Sequence, residues 1–241
     1  MKKSIISLVG MIVVSASIIF DPGVAYCQSW ATTGNNLSGS EVLGGTDDGE
    51  YHTLKLIANG DIVFRFQPTA STPNLIGGYE YNLVLSDVYG ATISGGGSYL
   101  QKNQITDNFG TVGGGTYNMA GNESGSVTDA TYATVCGGYL NNAMSSYSTV
   151  GGGSTNSVEG NYSTIGGGQE NEVSGGYSVN STIAGGYSNE ISHAAFSAIG
   201  GGSNHYIEDA MDYSVIGGGN NNSVHAIVST ICGGQSNETV G

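Results

Sequence analysis

This chain is poor in charge, and poorest in positive charge. Of its 241 residues, 10% are charged, with five Lys and Arg against 19 Asp and Glu. Such a balance repels phosphate groups, so nucleic acids and anionic membranes are excluded as partners. The same acidity suits a soluble, exposed protein. Proline occurs three times, and the 42 glycines follow no strict G-X-Y period, which excludes collagen. Three cysteines, Cys27, Cys136 and Cys232, do not make a disulfide framework. The glycine clusters "GGGSTN" and "GGGNNNS" lack the lysine and the following helix of a phosphate-binding loop. The calcium repeat G-G-x-G-x-D is missing. Asp47, Asp48 and Glu50 read as a solvated loop, and His52, His193, His205 and His225 show no metal-ligand spacing. No catalytic, cofactor-binding or metal residue is assigned on these grounds. A non-enzymatic protein is expected.

The N-terminus has the layout of an export signal. Lys2 and Lys3 precede an uncharged apolar stretch from Ser4 to Phe20, Pro22 breaks it, and Gly23-Val24-Ala25 offers a small-x-small cleavage site. The apolar stretch is marginal for a membrane span of about 20 residues. Tyr26 before Cys27 does not fit a lipoprotein cleavage motif. Residues 1–25 therefore read as a signal peptide, and a secreted or bacterial cell-surface location is expected. Removing Lys2, Lys3 and Asp21 leaves Lys55, Arg65 and Lys102 against 18 acidic residues, a net charge of −15.

What the chain has in abundance is a repeat. In "YSTVGGGSTNSVEGNYSTIGGGQEN" (Tyr147 to Asn171) nearly the same phrase occurs twice, fifteen residues apart. Taking the β-branched residue before the glycines as an anchor gives ten units: Ile76, Ile93, Val112, Val135, Val150, Ile165, Ile183, Ile199, Ile216 and Ile231. Spacings range from 15 to 23, so 15 is the basic period and the excess is local insertion. Six residues after the anchor stands Asn82, Asn118, Asn141, Asn156, Asn171, Asn189, Asn222 or Asn237, with His205 in that place once. Eight after it stands a small or branched apolar residue: Val84, Ala120, Ala143, Val158, Val173, Ile191, Ile207 or Val224. Three before it an aromatic recurs at Phe109, Tyr132, Tyr147, Tyr162, Phe196 and Tyr213, and one before it a threonine.

The alternation in "YSTV" predicts a short strand with the anchor and serine on one side and the aromatic and threonine on the other. The glycines permit positive φ or close backbone approach. Asparagine either takes a left-handed conformation or hydrogen-bonds the turn backbone. Each unit then reads as one coil of strand, glycine bend, strand and turn. One coil buries only two small apolar side chains and cannot offset an ordering cost of about 1–2 kcal/mol per backbone residue. Stacking is therefore required, and the fold class is an all-β parallel roll or β-solenoid. A fifteen-residue coil has little interior, so the aromatic side needs a partner outside it, and other copies of the same chain are expected. Cys136 and Cys232 share the column after the anchor, about six coils or roughly 30 Å apart at about 4.8 Å per strand, too far to pair within one chain. They are expected to be small buried thiols, with disulfides between chains or a cross-link through Cys27 as the sharper possibility.

The phrases "YATVCGGYLNNA", "YSTVGGGSTNSVEGNYSTIGGGQENEV" and "STIAGGYSNEI" resemble the head repeats of YadA-like trimeric autotransporter adhesins. They are still more similar to the Gly/Asn-rich variant of bacterial surface and tail-fibre-like proteins. The resemblance runs from about Trp30 onward. It implies a left-handed β-roll, three chains side by side, and an adhesin-like function. Such adhesins add a coiled-coil stalk and a membrane β-barrel, and tail-fibre relatives often add a self-cleaving chaperone domain. Neither pattern is found in these residues.

Three segments are expected: a signal peptide at 1–25, an N-terminal β cap at 26–74 and Gly/Asn-rich repeats at 75–241. Within the cap, "YHTLKLIANGDIVFRFQP" reads as a hairpin turning at Asn59-Gly60. The insertions "SYLQKNQITDN" and "AGNESGSVTDATY" read as surface loops suited to outside contacts. Two other functions compete with a surface fibre. An ice-binding solenoid would use the threonine column, which Ala198 and Val215 interrupt. A polysaccharide-active β-helix enzyme would need clustered carboxylates that the repeat columns do not supply.

Overall fold

The computed structural model describes residues 53–241. These residues are all-β, with 22 strands and no helix, and they form a β-solenoid of about ten stacked coils. Leu54–Ala58 (β1) and Asp61–Gln67 (β2) make the expected antiparallel hairpin. Both of its turn residues have positive φ, 54° at Asn59 and 89° at Gly60, as that turn requires. Asn74–Gly77 (β3) pairs antiparallel with β2, and from β3 onward every pairing between coils is parallel. The signal peptide, Cys27, Asp47, Asp48, Glu50, His52 and the first half of the proposed cap lie outside the described residues.

Two sheets run along the stack, one of twelve strands and one of ten. The anchor sits in the first. Its residues pair in register from coil to coil, for example Val135 with Val150 and Val150 with Ile165. The plus-eight residue sits in the second, where Ala143 pairs with Val158 and Val158 with Val173. All ten anchors and the plus-eight residues named above are buried in one cluster. Its buried members are Ile, Val and Ala only. A fifteen-residue coil leaves no room for a larger side chain, which is why no aromatic ring lies inside. A third line of single parallel bridges joins Thr116, Tyr139, Ser154, Gln169, Tyr187, Ser203, Asn220 and Gln235.

Three expectations are corrected and one open choice is decided. Most strands are two residues long, and those of the first sheet beyond β3 hold only the anchor and the residue before it, so the aromatic is not a strand residue. It sits in the preceding turn with φ of 55–61° from Phe109 to Tyr213. The asparagines take the second of their two options: from Asn118 onward the residue before each one is left-handed, and the asparagine itself hydrogen-bonds the backbone. Cys136 and Cys232 are exposed rather than buried, because the residue after an inward anchor points outward. Finally, "SYLQKNQITDN" is only partly a loop. Asn103 is a member of the asparagine line and Ile105 is fully buried in the core, so the true insertion is the few residues before Asn103.

Candidate functional site

Two lines of buried polar side chains hold the turns. In the first, each asparagine oxygen accepts the backbone N–H of the asparagine one coil later, from Asn82 through Asn103, Asn118, Asn141, Asn156, Asn171 and Asn189. Its Nδ2 donates to a glycine carbonyl of its own coil and to one of the next, as Asn156 does to Gly152 and Gly168 at 2.9 and 3.0 Å. His205 continues the line. Its N–H donates to Asn189 Oδ1, and its Nδ1 accepts from Asn222 N–H at 3.1 Å. That leaves the proton on Nε2, which is buried and has no hydrogen-bond partner. Burial pushes the His205 imidazole below its ordinary pKa of 6.5. The second line is serine: Ser163, Ser181, Ser197 and Ser214 each accept the backbone N–H of the serine one coil later. These lines are structural and satisfy turn groups, such as the Asn156 N–H and the Gly152 carbonyl, alongside the backbone bonds that join the coils.

The aromatic column is different. Phe109, Tyr132, Tyr147 and Tyr162 stack face to face at centroid separations of 4.8–4.9 Å, and Phe196 stacks on Tyr213 at 5.1 Å. From Tyr132 to Tyr213 each ring in the column is close to half exposed. A left-handed conformation costs an ordinary L-residue roughly 1–2 kcal/mol, and asparagine tolerates it best. Asparagine does occupy this turn once, at Asn180. The other left-handed turn of each coil shows what the backbone alone accepts: Tyr117, Leu140, Thr155, Glu170, Ser188, Asn204, Asn221 and Ser236. That column is mixed, whereas the first is aromatic at six coils and holds Gly90, Asn180 and Val228 at three others. Stacking of about 0.5–1.5 kcal/mol per pair offsets the strain only in part.

The face that carries the rings is also uncharged. From four residues before each anchor to three after it, the coils from Tyr89 to Gly234 contain one charged residue, Asp212. Beside the rings run Thr92, Thr111, Thr134, Thr149, Thr164 and Thr182 in register. Carboxylates gather on the other sheet and its turns. Glu172, near Glu190 and Glu159, is pushed above the usual carboxylate range by burial first and by those neighbours second. Asp107 is buried under the 120–132 insertion, where it accepts the N–H groups of Asn122 and Ala130; burial raises its pKa.

No protein-family model matches the chain, and no curated protein matches it.

One set of side chains has the composition of a hydrolase triad. Ser192 Oγ lies 3.3 Å from His193 Nδ1 and hydrogen-bonds Asp209, whose carboxylate is 3.4 Å from the same Nδ1. Serine and aspartate thus converge on one nitrogen. A relay needs them on opposite nitrogens, so that the carboxylate orients the ring while Nε2 takes the serine proton. His193 Nε2 instead lies over Gly175. Among the described residues no group of three or more His, Cys, Asp or Glu could hold a metal ion, and no helix is long and apolar enough to cross a membrane.

Proposed function

We propose that this chain is an exported, non-enzymatic structural protein of adhesin-like type, built to assemble and to display a repetitive surface. The observation that carries the reading is the half-exposed aromatic column on an uncharged face. In a chain with this excess of acid, copies can approach one another only where like charges are absent. The column meets that condition, and each ring can bury about 150–250 Å² against a partner. Three copies joined along this face, in the left-handed arrangement that the repeat phrases imply, give a fibre-like head. Its many equivalent shallow contacts act through avidity. Immunogold labelling of intact producing cells tests the location. Label on the outer surface or in the medium supports the reading, and retention of the protein in the cytoplasm with residues 1–25 intact removes it.

A second reading rests on the in-register threonines. Six consecutive coils from Thr92 to Thr182 carry one each on the exposed side of a regular sheet, the kind of array that binds an ordered surface such as ice. Thermal hysteresis of the purified protein separates the two, since assembly through the neighbouring aromatic column would cover this array.

A further inference from the structure

The early coils carry a second aromatic cluster, on the turns that follow the anchors rather than those that precede them. Tyr79, Tyr81, Tyr99, Tyr117, Lys102 and Gln104 line an open hollow of about 530 Å³. Tyr79 and Tyr81 follow the anchor Ile76, Tyr99 follows Ile93 and Tyr117 follows Val112, so three consecutive coils contribute rings. Such coils stack at about 4.8 Å. Tyr79 and Tyr81 meet at 5.4 Å with their planes inclined by 58°, an angled wall rather than a stack. All four rings lie outside the buried core.

The loop that bears Tyr99 is fixed in shape. Ser98 and Gln101 exchange both backbone hydrogen bonds, at 2.9 and 3.1 Å, and Leu100 between them has a left-handed φ of 64°. This turn holds Tyr99 and Leu100 out to solvent, each at 78% exposure. A strained, preset turn that exposes two large apolar side chains suits a ligand that covers them. Charges of both signs surround the hollow. Lys102 lines it and shares the adjoining hollow with Glu123, while Glu80 lies near Tyr79 and Arg65. Such a rim favours neither sign, and the excess of 19 acidic over five basic residues turns anions away. The ligand that matches is uncharged, with apolar faces and hydroxyl groups.

We infer that this hollow binds a neutral β-linked saccharide, a chain of gluco-configured pyranoses lying along the stack. In that configuration the ring substituents are equatorial, so axial C–H bonds cover both faces of each sugar and lie flat on tyrosine. One pyranose of a β-1,4 chain advances by close to the spacing of one coil, so successive sugars meet successive rings. Their hydroxyls donate and accept, as the tyrosine hydroxyls and the Gln104 amide do. A proline-rich peptide would also lie on tyrosine, but it offers acceptors alone. The lining ends at Tyr117, and Leu140 takes its place in the next coil, so the hollow has the length of a trisaccharide. The inference rests on the attachment reading above and names the ligand class for it.

The test is calorimetric titration of the chain, purified from its producing cells, with cellohexaose, maltohexaose, a hyaluronan hexasaccharide and a hexaproline peptide. Saturable binding of cellohexaose is expected, unchanged by salt because no ion pair forms. Tyr99→Ala and Tyr117→Ala should each weaken it roughly tenfold with unchanged melting, and Tyr213→Ala should leave it intact. Equal binding of maltohexaose, of the charged hyaluronan hexasaccharide or of hexaproline overturns the inference. So does unaltered binding in the Tyr99→Ala variant, or no binding of cellohexaose up to about 10 mM. The mass of the same sample keeps the two readings apart. A trimer that binds no cellohexaose defeats only this inference, and a monomer that binds as described supports it while removing the assembly reading.

Discussion

The side-chain oxygen of Asn141 accepts two hydrogen bonds from Asn156, one coil later: from its backbone N–H at 3.1 Å and from its side-chain amide at 3.0 Å. Asn156 in turn accepts both from Asn171. This buried chain of amides ties each turn to the next. Asn156→Ala would leave the Asn171 N–H and the Gly152 carbonyl without their partner, whereas the Gly168 carbonyl keeps the Ser154 N–H. At about 1–3 kcal/mol for each buried unsatisfied group, a loss of roughly 2–6 kcal/mol is expected from denaturant unfolding. Asn156→Asp should cost more, because it buries a charge against carbonyl oxygens.

The glycines differ in what they tolerate. Gly168 has φ of 92°, and a Cβ there would lie 2.2 Å from the Gly186 carbonyl oxygen and 2.7 Å from Asn171 Nδ2. Gly168→Ala forces two coils apart and adds roughly 1–2 kcal/mol of left-handed strain. A Cβ on Gly114 meets nothing within 4 Å. Gly114→Ala should therefore change the melting temperature little, while Gly168→Ala lowers it sharply. Equal melting of the two variants would contradict this packing.

His205 makes stability depend on pH in a defined direction. Its folded pKa lies below the ordinary 6.5 because burial opposes the charged ring. As pH falls through 6.5 the unfolded chain takes up a proton that the folded chain refuses, so stability is lost, and the loss levels off below the folded pKa. Above 6.5 both forms are neutral and the penalty is absent. His205→Asn should restore the amide line and remove this part of the acid sensitivity. The check is the difference between wild-type and variant unfolding free energies across that window, which cancels the contribution of carboxylates. A difference that does not change with pH would show that His205 is not the sensor.

Much of this architecture was legible in the sequence. The anchor and plus-eight columns stand out because a narrow coil admits only Val, Ile or Ala at two fixed phases. His205 was readable as a stand-in for asparagine from its place alone. Asn103 and Ile105 were hidden because an insertion shifts their phase, although the pair "N-x-I" at the right mutual spacing could have revealed them. The thiols of Cys136 and Cys232 were misplaced because the residue after an inward anchor points outward.

The aromatic column sets the final test. Tyr147 and Tyr162 stack at 4.8 Å within 5° of parallel, on a face with almost no charge. Replacing both with serine should weaken assembly and leave the strand signal in circular dichroism largely unchanged. The wild-type comparison decides most directly: the mass of residues 26–241 in dilute solution by sedimentation equilibrium. Three times the chain mass, falling in the double variant, is the expected result. A well-behaved monomer, or a double variant that remains trimeric with unchanged melting, would contradict assembly through this face.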